Sequence, residues 1–154
     1  GYLAKDEGIT YMHEIAEDSF LIKKAKETFQ NESGVGLRKE YANQTDELFT
    51  EHGFAAYVED ALTRMINPFL RDPVDRVTRD PSRKLGWEDR LLGSMKLAQR
   101  AGVQPNGLAE GARIALRLAI DEEGWGNENS AFDQLWAGIP IEQQAPLREL
   151  LLLS

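Results

Sequence analysis

The sequence has no cysteine among its 154 residues, which excludes disulfides, thiolate zinc sites, iron–sulfur clusters and a cysteine nucleophile. No apolar run approaches the roughly 20 residues of a membrane-spanning helix, and residues 1–10 lack the apolar stretch of a secretory signal peptide. Positive charge is also scarce, because 18 lysines and arginines face 26 aspartates and glutamates, a net charge of −8. We therefore expect a cytoplasmic protein that binds neither membranes nor nucleic acids.

Helical periodicity dominates what the sequence does contain. Hydrophobic residues make up 42 % of it, an ordinary share for one globular domain with a core. They recur at spacings of three and four, whereas no alternating strand pattern of useful length occurs, so we predict an all-α domain. The predicted elements are a short helix capped by Thr10, a helix from Asp18 or Ser19, helices over residues 55–66, 87–101, 105–120, 129–137 and 140–153, one helical turn at 73–77, and a loop at 43–53.

Two of these helices have clear apolar faces, which predict the sides that they bury. For the helix over residues 55–66 the face is Tyr57, Val58, Ala61, Leu62 and Met65. For the helix over residues 105–120 the face is rich in small residues, which allow tight packing, and consists of Leu108, Ala109, Ala112, Ala115, Leu116 and Ala119.

Gly34 and Gly36 lie in the stretch that continues the second predicted helix. Two glycines at this spacing either break the helix or let a neighbouring helix approach closely. They do not form a dinucleotide-binding fingerprint, because a preceding strand, a third glycine and the following acidic residue are all missing.

Residues 64–90 reverse the charge balance of the chain. They hold seven cations, six of them arginine, against five anions, a net charge of +2. Guanidinium groups bind phosphate and carboxylate through two parallel hydrogen bonds. The segment is therefore either an anion-binding site or a solvated loop tied down by internal ion pairs. The ion pairs that are most typical of a purely structural role are Arg71 with Asp72 and Asp75, and Arg90 with Asp89.

The two histidines, His13 and His52, do not mark a metal site, because neither has a second ligand at a suitable spacing. Lys5, Thr10 and His13 resemble a catalytic lysine–asparagine–histidine array in which threonine replaces asparagine. We interpret this similarity as a coincidence of spacing. The three tryptophans lie outside any basic stripe and are typical of helix packing.

Within the basic segment the chain resembles a known enzyme family. The residues that carry the resemblance are Asn67-Pro68-Phe69-Leu70, Asp72, Val74, Arg76-Val77, Arg79, Pro81, Arg83-Lys84-Leu85 and Asp89-Arg90-Leu91. This pattern is similar to the signature of mannitol-1-phosphate 5-dehydrogenases, which are polyol-specific long-chain dehydrogenases. The resemblance extends from Gly1 to about Asp121, and the last thirty residues share only their helical character.

The resemblance implies a two-domain, metal-free, NAD-dependent enzyme. Residues 1–154 correspond to its helical C-terminal substrate-binding domain, like that of 6-phosphogluconate-dehydrogenase-like enzymes, and the N-terminal Rossmann domain that binds NAD is absent from this chain. The family's catalytic motif, Lys-x-x-x-x-Asn-x-x-His, would end a few residues before Gly1. We therefore expect no catalytic and no cofactor-binding residue here, and an inactive chain when it is alone.

The resemblance also suggests which cations bind the substrate. Alcohol oxidation needs a base for the hydroxyl proton and a nicotinamide for the hydride, while remote groups fix the reacting carbon. Arg76 and Lys84 match cationic substrate-contacting positions of the family, and Arg79 and Arg83 are suited to a phosphate. The implied reaction is oxidation of mannitol 1-phosphate to fructose 6-phosphate.

Three alternatives remain at this point. The chain is also compatible with a mannitol 2-dehydrogenase or a hexuronate (altronate or mannonate) oxidoreductase, since carboxylates bind arginines too. A free-standing helical ligand-binding or interaction module would have a well-sealed surface, whereas a domain cut from an enzyme would expose apolar side chains. A nucleic-acid binder is disfavoured because the basic segment is local and outweighed by the acidic remainder.

Overall fold

The computed structural model describes residues 1–152, and no β-strand occurs within them. The predicted all-α class is confirmed. The α-helices are α1 (Tyr2–Asp6), α2 (Ser19–Thr28), α3 (Gly34–Glu40), α4 (Glu51–Met65), α5 (Val74–Thr78), α6 (Pro81–Lys84), α7 (Arg90–Arg100), α8 (Asn106–Glu123), α9 (Glu128–Leu135) and α10 (Ile141–Leu152). The remaining helical elements are 3-10 turns at Met12–Glu17 and Glu47–Phe49 and a π-helical turn at Phe29–Ser33.

Local capping explains several helix starts. The Asp18 carboxylate accepts hydrogen bonds from the backbone N–H groups of Phe20 and Leu21, both at 3.0 Å, which confirms the predicted start of α2. The prediction that residues 43–53 form a loop was wrong at its end, because the Thr50 hydroxyl accepts from the N–H of Gly53 and starts α4 at Glu51.

Other predicted boundaries were also corrected. Thr10 caps no α-helix, since the element after it is the 3-10 turn that follows Tyr11. The helix predicted from residue 87 begins only at Arg90, where the Asp89 carboxylate accepts the Arg90 N–H at 2.6 Å. The one-turn helix α6 was not predicted. The prediction that the last helix reaches Leu153 lies outside the described residues.

The two glycines of α3 allow a close helix approach and do not break the helix. Residues 19–40 run continuously from α2 through the π-helical turn into α3. A Cβ atom on Gly36 would lie 2.9 Å from the backbone carbon of Leu97 and 3.0 Å from the backbone nitrogen of Ala98, both on α7. Helices α3 and α7 therefore touch backbone to backbone, which only glycine permits.

We expect Gly36→Ala to destabilise the chain by about 1–3 kcal/mol, because the added methyl group forces α3 away from the α7 backbone. Gly111→Ala is the matched control, since Gly111 lies in the middle of α8 with no heavy atom within 4 Å of the new Cβ. It should stabilise by about 0.5–1 kcal/mol through helix propensity. Urea unfolding of the two variants measures both effects, and a shift of the same sign in both would contradict this account of the packing.

The main core is built on α8. Its small residues let α1, α6, α7, α9 and α10 approach closely, and its predicted apolar face is confirmed, with Leu108 half-buried and the other five buried. On α4 the predicted face is partly wrong. Val58 and Leu62 are buried together with Phe54, whereas Tyr57 is 48 % exposed and only flanks the Phe54 ring at 5.8 Å.

A second core cluster places the basic segment against the first residues of the chain. Ala4, Met12, Ile15, Leu21 and Val74 are buried together. Two backbone hydrogen bonds fix the register, from the Met12 N–H to the Asp72 carbonyl and from the Val74 N–H to the Thr10 carbonyl, both at 2.9 Å. Helix α5 is thereby held beside α1.

Candidate functional site

Hydrogen bonds connect the C-terminal part of the basic segment to the C-terminal half of the domain. The Ser82 hydroxyl donates to the Glu123 carboxylate at 2.9 Å, which joins α6 to the end of α8. The indole N–H of the buried Trp136 donates to the Leu85 carbonyl, also at 2.9 Å. These contacts hold the backbone beside Lys84 in one place.

Two residues with left-handed backbone conformations bracket α5. Arg71 has φ 44° and Asp80 has φ 54°, and within residues 1–152 these are the non-glycine residues with positive φ. Such conformations cost free energy and persist where the surrounding structure enforces them. Residues between Arg71 and Asp80 are thus held in a defined shape.

Lys84 is the buried cation of the segment, with 6 % of its surface exposed. Its ammonium group donates to the Val77 carbonyl at 2.8 Å and lies 5.6 Å from the centroid of the Tyr2 ring. Burial lowers the pKa of Lys84, and the positive charge of Arg90 lowers it further, while Asp80 opposes the shift.

Arg79 and Arg83 share one carboxylate. The Asp80 oxygen lies 4.0 Å from Nε of Arg79 and 3.7 Å from a terminal nitrogen of Arg83, both beyond hydrogen-bond length. Both side chains are more than half exposed. Their N–H donors are therefore available to a ligand.

Arg76 has a different environment from the other three predicted cations. It forms a two-pronged ion pair with Asp72, Nε to Oδ1 at 2.5 Å and a terminal nitrogen to Oδ2 at 2.7 Å. The hydrogen bond from Arg76 lowers the pKa of the Asp72 carboxyl. Arg76 therefore forms an internal ion pair, which was the alternative to anion binding in the sequence analysis.

The predicted residues are brought together only in part. The charges acting on the Lys84 ammonium are those of Arg90, Asp80, Arg83 and Arg79, in decreasing order. Arg90 does pair with Asp89, as expected, at 3.3 Å, yet its charge also acts at the ammonium. Tyr2 was missed altogether, because a tyrosine at an apolar helix position gives no sign of a cation above its ring. We name the group formed by Tyr2, Arg79, Asp80, Arg83, Lys84 and Arg90 the Lys84 cluster.

One predicted grouping near the basic segment does not form. Arg71 does not pair with Asp72 or Asp75 but lies over the Tyr11 ring at 5.5 Å, while Asp75 bonds to Lys5 at 2.8 Å. The Lys5–Thr10–His13 array was interpreted as a coincidence, and the Lys5–Asp75 bond supplies an ordinary structural role for the lysine.

The glycine pair of α3 does not form a dinucleotide-binding turn. Gly34 and Gly36 lie inside a helix against Phe54, Leu97 and Ala98, and no strand precedes them. Among residues 1–152 no three potential ligands of the His, Cys, Asp and Glu types come together as a metal site. No helix in this part of the chain is long and apolar enough to cross a bilayer.

The apolar surface includes a cavity and an exposed turn. A cavity of about 240 Å³ opens beside α1 and is lined by apolar side chains that include Leu3, Leu21 and Leu108. After α4, Phe69 is 92 % exposed and Leu70 is 62 % exposed, in a turn that the Asn67 side chain stabilises by accepting the Phe69 N–H. This turn presents the phenyl ring to solvent in a defined orientation.

Comparison with known proteins identifies the family. The mannitol dehydrogenase C-terminal domain model matches residues 1–149. A mannitol-1-phosphate 5-dehydrogenase of Caldanaerobacter subterraneus subsp. tengcongensis is 34 % identical over 122 residues, 79 % of this chain and 30 % of that protein. One of Thermoanaerobacter pseudethanolicus is 33 % identical over the same shares. The chain thus matches less than a third of the length of these curated relatives. It belongs to the mannitol dehydrogenase family and represents its C-terminal domain.

Proposed function

We propose that this domain holds the substrate of an NAD-dependent mannitol-1-phosphate 5-dehydrogenase, which oxidises mannitol 1-phosphate to fructose 6-phosphate. The observation that carries the proposal is the Lys84 cluster, in which the charges of three arginines and one aspartate act on a buried ammonium. Clustered cations of this kind suit a phosphate dianion better than a neutral polyol. The two relatives are mannitol-1-phosphate 5-dehydrogenases, which supports the same substrate.

The division into domains is part of the proposal. Residues 1–154 are the helical substrate-binding domain, and an N-terminal Rossmann domain of the same polypeptide binds NAD and completes the active site. The 30 % coverage of the relatives and the match of a C-terminal domain model support this division. The exposed Phe69 and Leu70 favour a domain that docks onto another over a sealed free-standing module. On this proposal the chain alone is catalytically inactive.

The position of α1 connects the cluster with the proposed catalytic motif. Gly1, at the start of α1, lies against Val77, whose carbonyl accepts the Lys84 hydrogen bond. A helix rises about 1.5 Å per residue. If α1 continues toward the amino terminus, a histidine a few residues before Gly1 lies within about two helical turns of Lys84. The reacting carbon and the phosphate then occupy neighbouring parts of one site.

The cations differ in their proposed roles. Lys84, Arg79 and Arg83 bind the phosphate, because their ammonium and guanidinium donors are not used up by short contacts with carboxylates. Fixing the phosphate orients the polyol and places its oxidised carbon at the catalytic base. Arg76 contributes less, because a ligand would have to displace the Asp72 carboxylate from it.

The test is NAD reduction by the polypeptide extended upstream through the same reading frame. Mannitol 1-phosphate, free mannitol and altronate are compared as substrates. We expect mannitol 1-phosphate to give the highest kcat/KM, and the double variant Arg79→Gln, Arg83→Gln to lose about tenfold or more of that preference. Arg64→Gln is the matched control, since Arg64 is an exposed arginine whose ion pair is with Asp60 in the same helix.

Other outcomes would assign a different function. A preference for free mannitol, unaltered in the double variant, would assign a mannitol 2-dehydrogenase and leave Arg79 and Arg83 as structural residues. A preference for altronate would make the cluster a carboxylate site. A reading frame without an upstream dinucleotide-binding domain would support the free-standing module instead.

A further inference from the structure

Tyr2 lies at the base of the Lys84 cluster. It is 8 % exposed, and its ring packs into the main core beside residues of α7 and α8. The Lys84 ammonium lies 5.6 Å from the ring centroid, within the roughly 6 Å at which an aromatic face attracts a cation. Helix α1 is fixed by its packing against α8 and α5, so the ring is a rigid support.

The ammonium needs such a support, because its surroundings repel it. Arg90, Arg83 and Arg79 all act on it with positive charge, and Asp80 is the opposing carboxylate. A lysine side chain is also flexible and loses much rotamer freedom when it is held in one geometry. The Val77 carbonyl accepts one of its three N–H donors at 2.8 Å. The face of the Tyr2 ring is a further attractive contact for the ammonium.

We propose that Tyr2 is a positioning residue, whose ring holds the Lys84 ammonium against the Val77 carbonyl and directs its remaining N–H donors toward the bound anion. The expected effect of Tyr2 on substrate binding in the enzyme rests on the proposed function. The contact between ring and ammonium stands on the geometry alone. Tyr2 itself touches no reacting atom and acts only through Lys84.

The hydroxyl group of Tyr2 provides a clean control. It is buried and has no hydrogen-bond partner among the described residues. Tyr2→Phe therefore removes the hydroxyl without breaking a hydrogen bond and keeps the ring under the ammonium. Tyr2→Leu and Tyr2→Met remove the ring and keep an apolar side chain in the core.

The first experiment observes Lys84 in the chain by NMR with carbon-13-labelled lysine, its signal assigned with Lys84→Arg. In the unaltered chain, and in Tyr2→Phe, we expect the methylene protons next to the Lys84 nitrogen to show an upfield ring-current shift. In Tyr2→Leu and Tyr2→Met that shift should vanish, and the pKa of Lys84 should fall further, because the ring stabilises the charged form. Gly1 is the amino-terminal residue in all variants, so the charge of its amino group does not account for differences between their Lys84 pKa values.

The second experiment measures kinetics in the upstream-extended enzyme. The ring-deleting variants should raise KM for mannitol 1-phosphate about tenfold and leave KM for NAD unchanged, while Tyr2→Phe stays within about twofold. An unaltered chain with no ring-current shift at Lys84 would overturn the inference without requiring any variant to fold. Equal kinetic losses in Tyr2→Phe and Tyr2→Leu would overturn it too. A Lys84 signal that depends on the ring, combined with unchanged kinetics, would uphold the positioning and refute the proposed function.

Discussion

Lys84→Met in the upstream-extended enzyme should lower kcat/KM for mannitol 1-phosphate by about 100-fold, the loss typical of removing one partner from a desolvated charge pair. Methionine keeps most of the buried stem volume, so the change removes the ammonium group and little packing. The Val77 carbonyl loses its hydrogen bond, and the Lys84 cluster loses its buried cationic donor. Steady-state kinetics with varied substrate at saturating NAD measures the effect.

Lys96→Met is the control for this variant. Lys96 is also a half-buried lysine above an aromatic ring, 4.6 Å from the Trp87 centroid, but it bonds to Glu88 and does not belong to the cluster. It should leave kcat/KM within about twofold. Similar losses in both variants, or a loss that appears in KM for NAD and not for the sugar phosphate, would remove Lys84 from the substrate site.

The same residue predicts a pH effect. Because the pKa of Lys84 is lowered in the folded chain, its proton leaves at a lower pH than that of an ordinary lysine. Between the folded and unfolded pKa values the unfolded chain binds more protons, so the cost of burying the ammonium is relieved as pH rises through this window. Affinity for the phosphate should fall in the same window, and the fall should be absent in Lys84→Met.

Trp136→Ala should destabilise the chain by about 3–5 kcal/mol, the usual cost of removing a large buried aromatic side chain. Trp136 is 1 % exposed and stacks on Phe132 at 4.7 Å between ring centroids, and it meets Trp87 edge-on at 5.4 Å. Its N–H also satisfies the carbonyl of Leu85, the residue after Lys84. Urea unfolding followed by circular dichroism measures the loss.

Two further variants separate packing from hydrogen bonding. Trp136→Phe keeps an aromatic ring and should cost about 1–3 kcal/mol, because the Leu85 carbonyl is left without its partner. Trp125→Phe, at a half-buried tryptophan, should cost less. A loss below about 1 kcal/mol in Trp136→Ala would show that this ring does not fasten the basic segment to the C-terminal helices.

Much of the fold follows from local rules. The spacing of Ala109, Ala112 and Ala115 predicted the buried face of α8, and Asp18 predicted the start of α2. Other features depend on partners that are distant in the chain. Both carboxylate oxygens of Glu32, on the π-helical turn, accept the N–H groups of Gly107 and Leu108 at 2.7 and 2.9 Å. Seventy-five residues separate these partners, so no local pattern indicates that Glu32 caps α8.

The candidate site was predictable in composition but not in arrangement. Clustered arginines indicate anion binding wherever they lie, so the sequence predicts Arg79, Arg83 and Lys84 as binding residues. The sequence does not distinguish Arg76, whose donors an aspartate four residues away already occupies, from Arg79, whose nearest carboxylate is 4.0 Å away. Nor does it show that Lys84 alone among the four is buried, because that depends on α1 folding beneath it.

The most direct test is whether this chain binds the sugar phosphate at the Lys84 cluster. Amide NMR spectra of the chain are recorded while mannitol 1-phosphate is added to millimolar concentrations, with free mannitol and inorganic phosphate as comparisons. We expect saturable shifts concentrated in residues 76–90, with the highest affinity for mannitol 1-phosphate and a weaker response in Lys84→Met. Saturable shifts centred elsewhere, for example on the apolar cavity beside α1, or a response equal for free mannitol, would contradict this expectation.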